Sequence, residues 1–134
     1  MPGSNSDYTE ALLIDFLFGT AAAAAPAEMH GELFYTPPGE NGLGGTVASY
    51  VNYLRINYGI GASNWTRTAD TCVNDNQMQW AANGDAGSVT VVGVGIYDAA
   101  AGGNLIMLDP TVQKIVAPSE QPTIPAGQFT YTME

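Results

Sequence analysis

One nine-residue segment, Val89–Tyr97, constrains the fold more than any other part of the chain. Its sequence is Val-Thr-Val-Val-Gly-Val-Gly-Ile-Tyr, which is rich in β-branched residues and apolar at both alternating sets of positions. A strand with two apolar faces must be covered on both sides, so we expect it at the centre of a sheet. Gly93 and Gly95 lie on one face and indicate close approach by another element. A turn follows at 98–103, and residues 104–108 predict a hairpin partner.

The rest of the chain after residue 28 alternates between short segments of strand character and turn signals. Sixteen glycines and eight prolines agree with frequent turns. The other predicted strands are 29–35, 50–58, 65–73 (the weakest), 77–82, 113–117 and 128–133. This pattern predicts a mainly β fold, an antiparallel β-sandwich of jelly-roll or immunoglobulin-like type, with one short N-terminal α-helix.

The helical signal lies near the N-terminus. Residues 1–5 predict a flexible start, and Ser6 or Asp7 is expected to cap a helix over 7–18. Gly19 suits the C-terminal end of that helix. A helix of this length gains most of its stability from packing, so we expect it to dock against another element.

An alanine-rich segment follows the helix and is interpreted as a linker, 20–27. The chain is therefore expected to divide into an N-terminal helix with its linker (1–27) and a β-sandwich domain (28–134). The apolar residues of the helix are candidates for contact with a partner. Those that we predict to bind a partner are Leu12, Phe16 and Phe18.

Charge excludes several classes of function. The chain holds 3 Lys+Arg against 13 Asp+Glu, a net charge of −10. A nucleic-acid backbone requires a basic surface, and an anionic membrane attracts one, so we predict neither partner. No segment reaches the roughly 18–20 apolar residues that a membrane-spanning helix needs.

Few residues are available for catalysis or metal binding. A single cysteine and a single histidine exclude a disulfide framework, a cysteine-based zinc site and a multi-histidine metal site. His30 shares the polar side of its predicted strand with Glu32, so we expect a solvated surface histidine. The acidic residues are scattered singly in turns. We therefore predict no catalytic residues, no metal and no cofactor, and a non-enzymatic protein.

Tyrosines and arginines supply the remaining candidate contacts. Tyr50, Tyr53 and Tyr58 are most simply explained as core residues, with a strip that binds carbohydrate or a protein partner as the alternative. Arg55 and Arg67 are expected to pair with carboxylates, within the protein or in a neighbour, and arginine is also a typical interface anchor. Together with the helix residues above, the predicted partner-binding residues are Tyr50, Tyr53, Arg55 and Arg67.

Residues 88–107 carry a more specific signal. They resemble the strand–turn–strand segment of a small tailed-phage virion family, usually labelled tail fibre protein, in which the motif includes G-[IL]-[FY]-D-A-A-T-G-G-N-L. The matching residues are Val89, Thr90, Gly95, Ile96, Tyr97, Asp98, Ala99, Ala100, Gly102, Gly103, Asn104 and Leu105. Ala101 replaces the common threonine. Looser similarity at 12–25, 33–36, 53–55 and 125–129 follows the same order as in the family.

The resemblance implies a non-enzymatic virion component with a β-sandwich fold. A compact chain without heptads or fibrous repeats suits a small unit added many times to a lattice. Our first expectation is therefore a capsid decoration (cement) protein that binds the major capsid protein on the head surface. The alternative is a tail-fibre or baseplate module that contacts host glycans, and a small glycan hydrolase is a third hypothesis. A homo-oligomer is expected, with a trimer as the guess.

Overall fold

The computed structural model describes residues 4–133, which contain one α-helix and eleven β-strands. The helix is α1 (Asp7–Phe18). The strands are β1 (Ser4–Asn5), β2 (His30–Thr36), β3 (Thr46–Val47), β4 (Ile56–Asn57), β5 (Trp65–Thr68), β6 (Thr71–Asn74), β7 (Met78–Gln79), β8 (Val89–Tyr97), β9 (Leu105–Val116), β10 (Thr123–Ile124) and β11 (Thr130–Thr132). Every strand pair is antiparallel. The predicted class, mainly β with antiparallel sheets and one helix, is confirmed.

The strands form three sheets around one main core. The largest has the order β1-β9-β8-β2-β3, with β4 also paired to β2. The second has the order β11-β6-β5, and β10 pairs with β7 in the third. Side chains from all three sheets meet in one apolar cluster, so the arrangement is sandwich-like. Its members include Leu33, Met78, Trp80, Val91, Val94, Ile96, Met107, Val116 and Phe129.

The predicted central position of β8 is confirmed, since β8 lies between β9 and β2. Apolar residues cover the largest sheet on both faces. A second cluster, Phe34, Leu105 and Leu108, lies apart from the main core, and Tyr97 packs against it. The apolar character of both alternating sets of positions in β8 therefore has a direct structural cause.

Two glycines admit large side chains to the backbone of the central strands. A Cβ on Gly95 of β8 would lie 2.8 Å from Cε2 of Phe34, so glycine is required where this ring packs. On β2, a Cβ on Gly31 would lie 2.9 Å from Cζ2 of Trp80. The Trp80 indole also donates a hydrogen bond of 3.0 Å to the Gly31 carbonyl. The close approach predicted at Gly95 is confirmed.

The partner of β8 is longer than predicted. Residues 104–108 and 113–117 were expected to form separate strands, but β9 runs continuously from Leu105 to Val116. The register between β8 and β9 shifts between Val92 and Val94, and Gly93 has a φ of 111° there. Pro110 lies in the irregular stretch of β9 opposite this bulge, where a missing N–H does not break the regular ladder.

The strand predicted at 50–58 is wrong. Only Ile56–Asn57 pairs there, with β2. The Tyr53 N–H donates to the Tyr50 carbonyl at 3.0 Å, and Asn52 has a φ of 75°, so the chain turns. The apolar spacing arises because successive tyrosines in this turn point into the core. Alternation of apolar residues alone does not distinguish such a turn from a strand.

Other boundaries also differ from the sequence predictions. The weak strand at 65–73 is a hairpin of β5 and β6 that turns at Ala69, where φ is 53°. The strand at 77–82 shortens to two residues, and the last strand to three. Of the predicted flexible start, Ser4–Asn5 pairs with β9, while residues 1–3 lie outside the described part.

The prediction that His30 lies on a solvated face is wrong. Its exposed fraction is 4 %, because β2 is flanked by β8 and β4 at this position and its faces are covered. The His30 Nε2 atom lies 3.2 Å from the carboxylate of Glu28, which is half exposed. The alternation of 29–35 resembles that of a half-buried strand, but β2 is fully buried from His30 to Phe34.

Replacing Gly95 by alanine tests the packing of the central strands. Because the new methyl group would overlap the Phe34 ring, we expect Gly95→Ala to lower the free energy of unfolding by about 1–3 kcal/mol. Gly87→Ala is the matched control, since its Cβ would meet no atom within 4 Å. Urea unfolding of both variants measures the difference, and equal midpoints would contradict this account of the core.

Candidate assembly surface

Helix α1 is attached to the β-sheet through its first turn. Ser6 caps the helix, accepting a hydrogen bond from the Thr9 N–H at 3.2 Å, and its hydroxyl also bonds to the Leu105 carbonyl. The Thr9 hydroxyl donates to the Ile106 carbonyl of β9 at 2.6 Å. Gly19, with a φ of 64°, ends the helix. The predicted helix bounds are confirmed, and Ser6 rather than Asp7 is the cap.

The second half of α1 is uncovered. No described residue of α1 is buried, and its apolar side chains are exposed over both sides of the last turns. Their exposed fractions are Ile14 54 %, Phe16 70 %, Leu17 71 % and Phe18 75 %. Leu12 and Phe16 line a cleft of about 200 Å³ against the alanines of 23–25. We therefore treat this exposed apolar surface as a candidate contact site.

A larger apolar groove lies between α1 and the sheet of β5, β6 and β11. It has a volume of about 560 Å³. Leu13 of α1 contributes one wall, Ile106 and Met107 of β9 contribute to its lining, and Trp65 and Tyr131 belong to the three-stranded sheet. We refer to it below as the apolar groove. Cys72, the single cysteine, and Arg67 also line it.

Arg67 differs from the other two cations of the chain. Arg55 lies 3.0 Å from Glu32, and Lys114 lies 3.2 Å from Glu120. Arg67 is exposed and donates to the Ala69 carbonyl at 2.7 Å, but no carboxylate of residues 4–133 forms a salt bridge with it. The predicted carboxylate partner is therefore found within the protein for Arg55, whereas for Arg67 it remains a prediction about a neighbour.

The Arg55–Glu32 pair is buried and fully engaged. The side chains of Arg55 and Glu32 are 11 % and 7 % exposed. Nη2 of Arg55 bonds to Glu32, and Nη1 donates to the carbonyls of Ala99 and Gly102 at 2.7 and 2.9 Å. The guanidinium carbon also lies 4.1 Å from the centre of the Tyr97 ring. Arg55 thus fixes the turn that follows β8, the same turn that carries the family resemblance.

Tyr53 completes this cluster from the other side. Its hydroxyl donates to Glu32 at 2.7 Å and accepts from the Leu33 N–H at 2.8 Å. The Tyr53 hydroxyl thus accepts the N–H of Leu33, which lies on β2 between the residues that pair with β4 and those that pair with β3. Burial, followed by the hydrogen bond to Glu32, raises the pKa of Tyr53 well above its ordinary value.

The other predicted tyrosines also point inward. Tyr50 is 2 % exposed, and its hydroxyl donates to the Ala81 carbonyl at 2.7 Å. Burial raises its pKa to about 12. The Tyr58 hydroxyl donates to the Asn64 carbonyl at 2.7 Å, and its ring packs against Trp65. All three predicted tyrosines thus contact the main core, and their hydroxyl groups bond within the protein.

The structure therefore separates the predicted partner-binding residues into two groups. Leu12, Phe16, Phe18 and Arg67 lie at the apolar surfaces around α1, whereas Tyr50, Tyr53 and Arg55 belong to internal contacts. Ile14 and Leu17 were not singled out, although their apolar character on a second side of the helix was visible. The groove itself was not predictable, because its walls come from segments distant in sequence.

Neither a metal centre nor a membrane span is found in the described part of the chain. Residues 4–133 hold no group of three or more histidine, cysteine, aspartate or glutamate side chains placed to bind a metal ion. The helix present there is too short to cross a bilayer.

Removing Arg55 tests the buried pair. Arg55→Met would leave the Glu32 carboxylate buried without its cation, so we expect a loss of about 3–5 kcal/mol in the free energy of unfolding. The double variant Glu32→Gln/Arg55→Met should recover part of this loss, because no charge remains to be desolvated. Arg67→Met is the control and should change stability by no more than about 0.5 kcal/mol. Chemical unfolding of the wild type, the two single variants and the double variant measures these free energies. A double variant as unstable as Arg55→Met would contradict this account of the buried pair.

The tyrosine pKa values predict alkaline sensitivity. An unfolded tyrosine ionises near pH 10, whereas the raised pKa keeps Tyr53 protonated in the fold. Its stabilisation is therefore complete below pH 10 and falls as the pH rises above it, by up to about 1.4 kcal/mol per pH unit. The free energy of unfolding should be measured between pH 8 and pH 11.5, which is about one and a half units above the unfolded pKa. It should fall less steeply with pH in Tyr53→Phe than in the wild-type chain. An identical slope would contradict the assignment.

Comparison with known proteins agrees with the resemblance seen in the sequence. A comparison with curated proteins finds no match. A family model described as podophage GP4 fiber I protein gp80 matches residues 4–132, nearly the whole chain. The match includes α1 and every described strand. The chain therefore belongs to this podophage fibre family, and it is a structural protein of the bacteriophage particle.

Proposed function

We propose that the protein is a structural subunit of a tail-fibre assembly and has no catalytic role. The observation that carries the proposal is the family match over residues 4–132, since the description of that family names a fibre protein. The proposal takes up the alternative weighed from the sequence. The first expectation, a capsid decoration protein bound to the major capsid protein, has less support because the family description refers to a fibre and not to the head.

The physical form of the chain supports a compact module within a fibre. The three sheets pack around the main apolar cluster. The strands of the largest sheet have only two residues each, apart from β2, β8 and β9. A body of this shape does not build a long shaft alone. It joins other subunits or other virion proteins through its surface.

The surface offers two kinds of attachment. One is the uncovered half of α1, including Phe16 and Phe18, where apolar area is available to be buried. The other is Arg67, a cation that forms no salt bridge with a carboxylate of residues 4–133, on a chain of net charge −10. We propose that these residues, with Leu12, contact virion proteins, and that the subunit is part of a homo-oligomer.

A role in binding host glycans finds less support in the structure. The tyrosine strip that would carry it, Tyr50, Tyr53 and Tyr58, is engaged in internal hydrogen bonds and in packing against the core. A glycan hydrolase would need two acidic side chains across a cleft. The most buried carboxylate of the described chain, Glu32, is instead held by Arg55 and Tyr53.

Fractionation of purified particles tests the proposal. We expect the protein in the tail and fibre fraction, at on the order of a few dozen copies or fewer, because rotationally symmetric tail assemblies hold small multiples of one ring. Quantitative mass spectrometry with the major capsid protein as internal standard gives the copy number. Hundreds of copies on emptied heads would restore the decoration hypothesis, and absence from the particle would exclude both. Hydrolysis of host-envelope glycans by the purified chain would contradict the structural role.

A further inference from the structure

We propose that the apolar groove receives the C-terminal half of α1 from a second copy of this chain. The inference rests on the proposed fibre role, and it names the partner of the uncovered helix. Two surfaces of the same molecule carry it. One is a groove that no segment of residues 4–133 fills, and the other is a helix end that none of these residues covers.

The groove suits apolar side chains of the size that the helix exposes. Its volume of about 560 Å³ is several times the roughly 150 Å³ of a cavity that takes one benzene ring. Its lining is almost entirely apolar, with Trp65, Met107 and Tyr131 among the larger side chains. A site of this size and character has room for about three aromatic or aliphatic side chains.

The helix end presents such side chains at the right spacing. Ile14, Leu17 and Phe18 stand at i, i+3 and i+4, so they form one stripe on the helix surface. Each is more than half exposed. Anchors at this spacing are the pattern by which an amphipathic helix binds a hydrophobic groove.

Charge favours this occupant. The half of the helix that would enter the groove, residues 13–18, contains Asp15 and no basic residue, whereas Asp7 and Glu10 lie in the first turn. The groove is lined by Arg67, which has no internal carboxylate partner among the described residues. Asp15 of a second copy therefore brings a countercharge to Arg67 at the groove, although the two copies as whole molecules are both acidic.

The occupant has to come from a second copy. The first turn of the resident α1 is tied to β9 by the Thr9–Ile106 hydrogen bond, and Leu13 already forms part of the groove wall. The same helix cannot remain a wall and also fill the space beside it. Because groove and helix end are different surfaces, the contact can be reciprocal in a dimer or repeat around a closed ring.

Two charge-introducing variants with matched controls test the contact in the purified full chain. Leu17→Glu places a charge in the proposed contact, and Leu54→Glu does the same at a leucine of similar exposure, 75 % against 71 %. Arg67→Glu reverses the charge of the groove, and Lys114→Glu makes the same change in net charge on β9. Circular dichroism verifies that each variant folds.

Sedimentation over a concentration series gives the association constants. We expect the wild-type chain to self-associate, and Leu17→Glu and Arg67→Glu to weaken this by about tenfold or more. The two controls should stay within about twofold of the wild type, which is within ordinary surface effects. A wild-type chain that remains monomeric, or controls that weaken association as much as the test variants, would overturn the proposal.

Cys72 reports directly on the groove. It is the single cysteine, it is partly buried, and it lines the groove. Its reaction with a maleimide should slow as the wild-type concentration rises, and in Leu17→Glu the same slowing should require a concentration about tenfold higher or more. An unchanged rate in the associated protein, or protection of Cys72 only within assembled particles, would exclude a second copy as the occupant. The fibre role depends instead on the particle fractionation, so failure of one proposal is distinguishable from failure of the other.

Discussion

The structure depends on a pair of strands, β2 and β8, that are buried on both faces. Such a pair needs apolar contacts above and below it, and it needs space where large rings meet the backbone. Gly31 and Gly95 provide that space on the two strands, for Trp80 and Phe34 respectively. Apart from β9, the remaining strands have two to four residues, and side chains from all three sheets pack in the same main cluster as this pair.

Burial on both faces creates a difficulty at Glu32, a charged residue within β2. A carboxylate in this position is costly unless a cation and hydrogen-bond donors surround it. Arg55 and Tyr53 supply them, and Arg55 extends to the turn after β8 through the carbonyls of Ala99 and Gly102. The buried pair thereby couples the middle of the sheet to an exposed turn. It is better understood as a device that fixes one geometry than as a net source of stability.

Sequence reasoning succeeded where a signal was local. The helix had a cap and a terminal glycine, and Val89–Tyr97 had an apolar pattern that only a central strand explains. The sequence predictions were wrong at His30 and at 50–58, where the alternation of apolar and polar residues has a different cause at each place. A strand buried on both faces and a turn that returns tyrosines to the core both mimic a half-buried strand. The site was half predictable: Phe16 and Phe18 stood out, but the groove is made by segments that meet only in the fold.

The charge distribution explains why assembly should depend on apolar contact. Two of the three cations neutralise glutamates of the same molecule, which leaves Arg67 as the described cation without a carboxylate partner. Copies of the chain repel one another at a distance, but in physiological salt this repulsion is screened beyond about 8 Å. Within that distance, covering Leu17 and Phe18, which are 71 % and 75 % exposed, is a favourable contribution that opposes the remaining repulsion between scattered charges. The fitted apolar contact therefore decides which surfaces join.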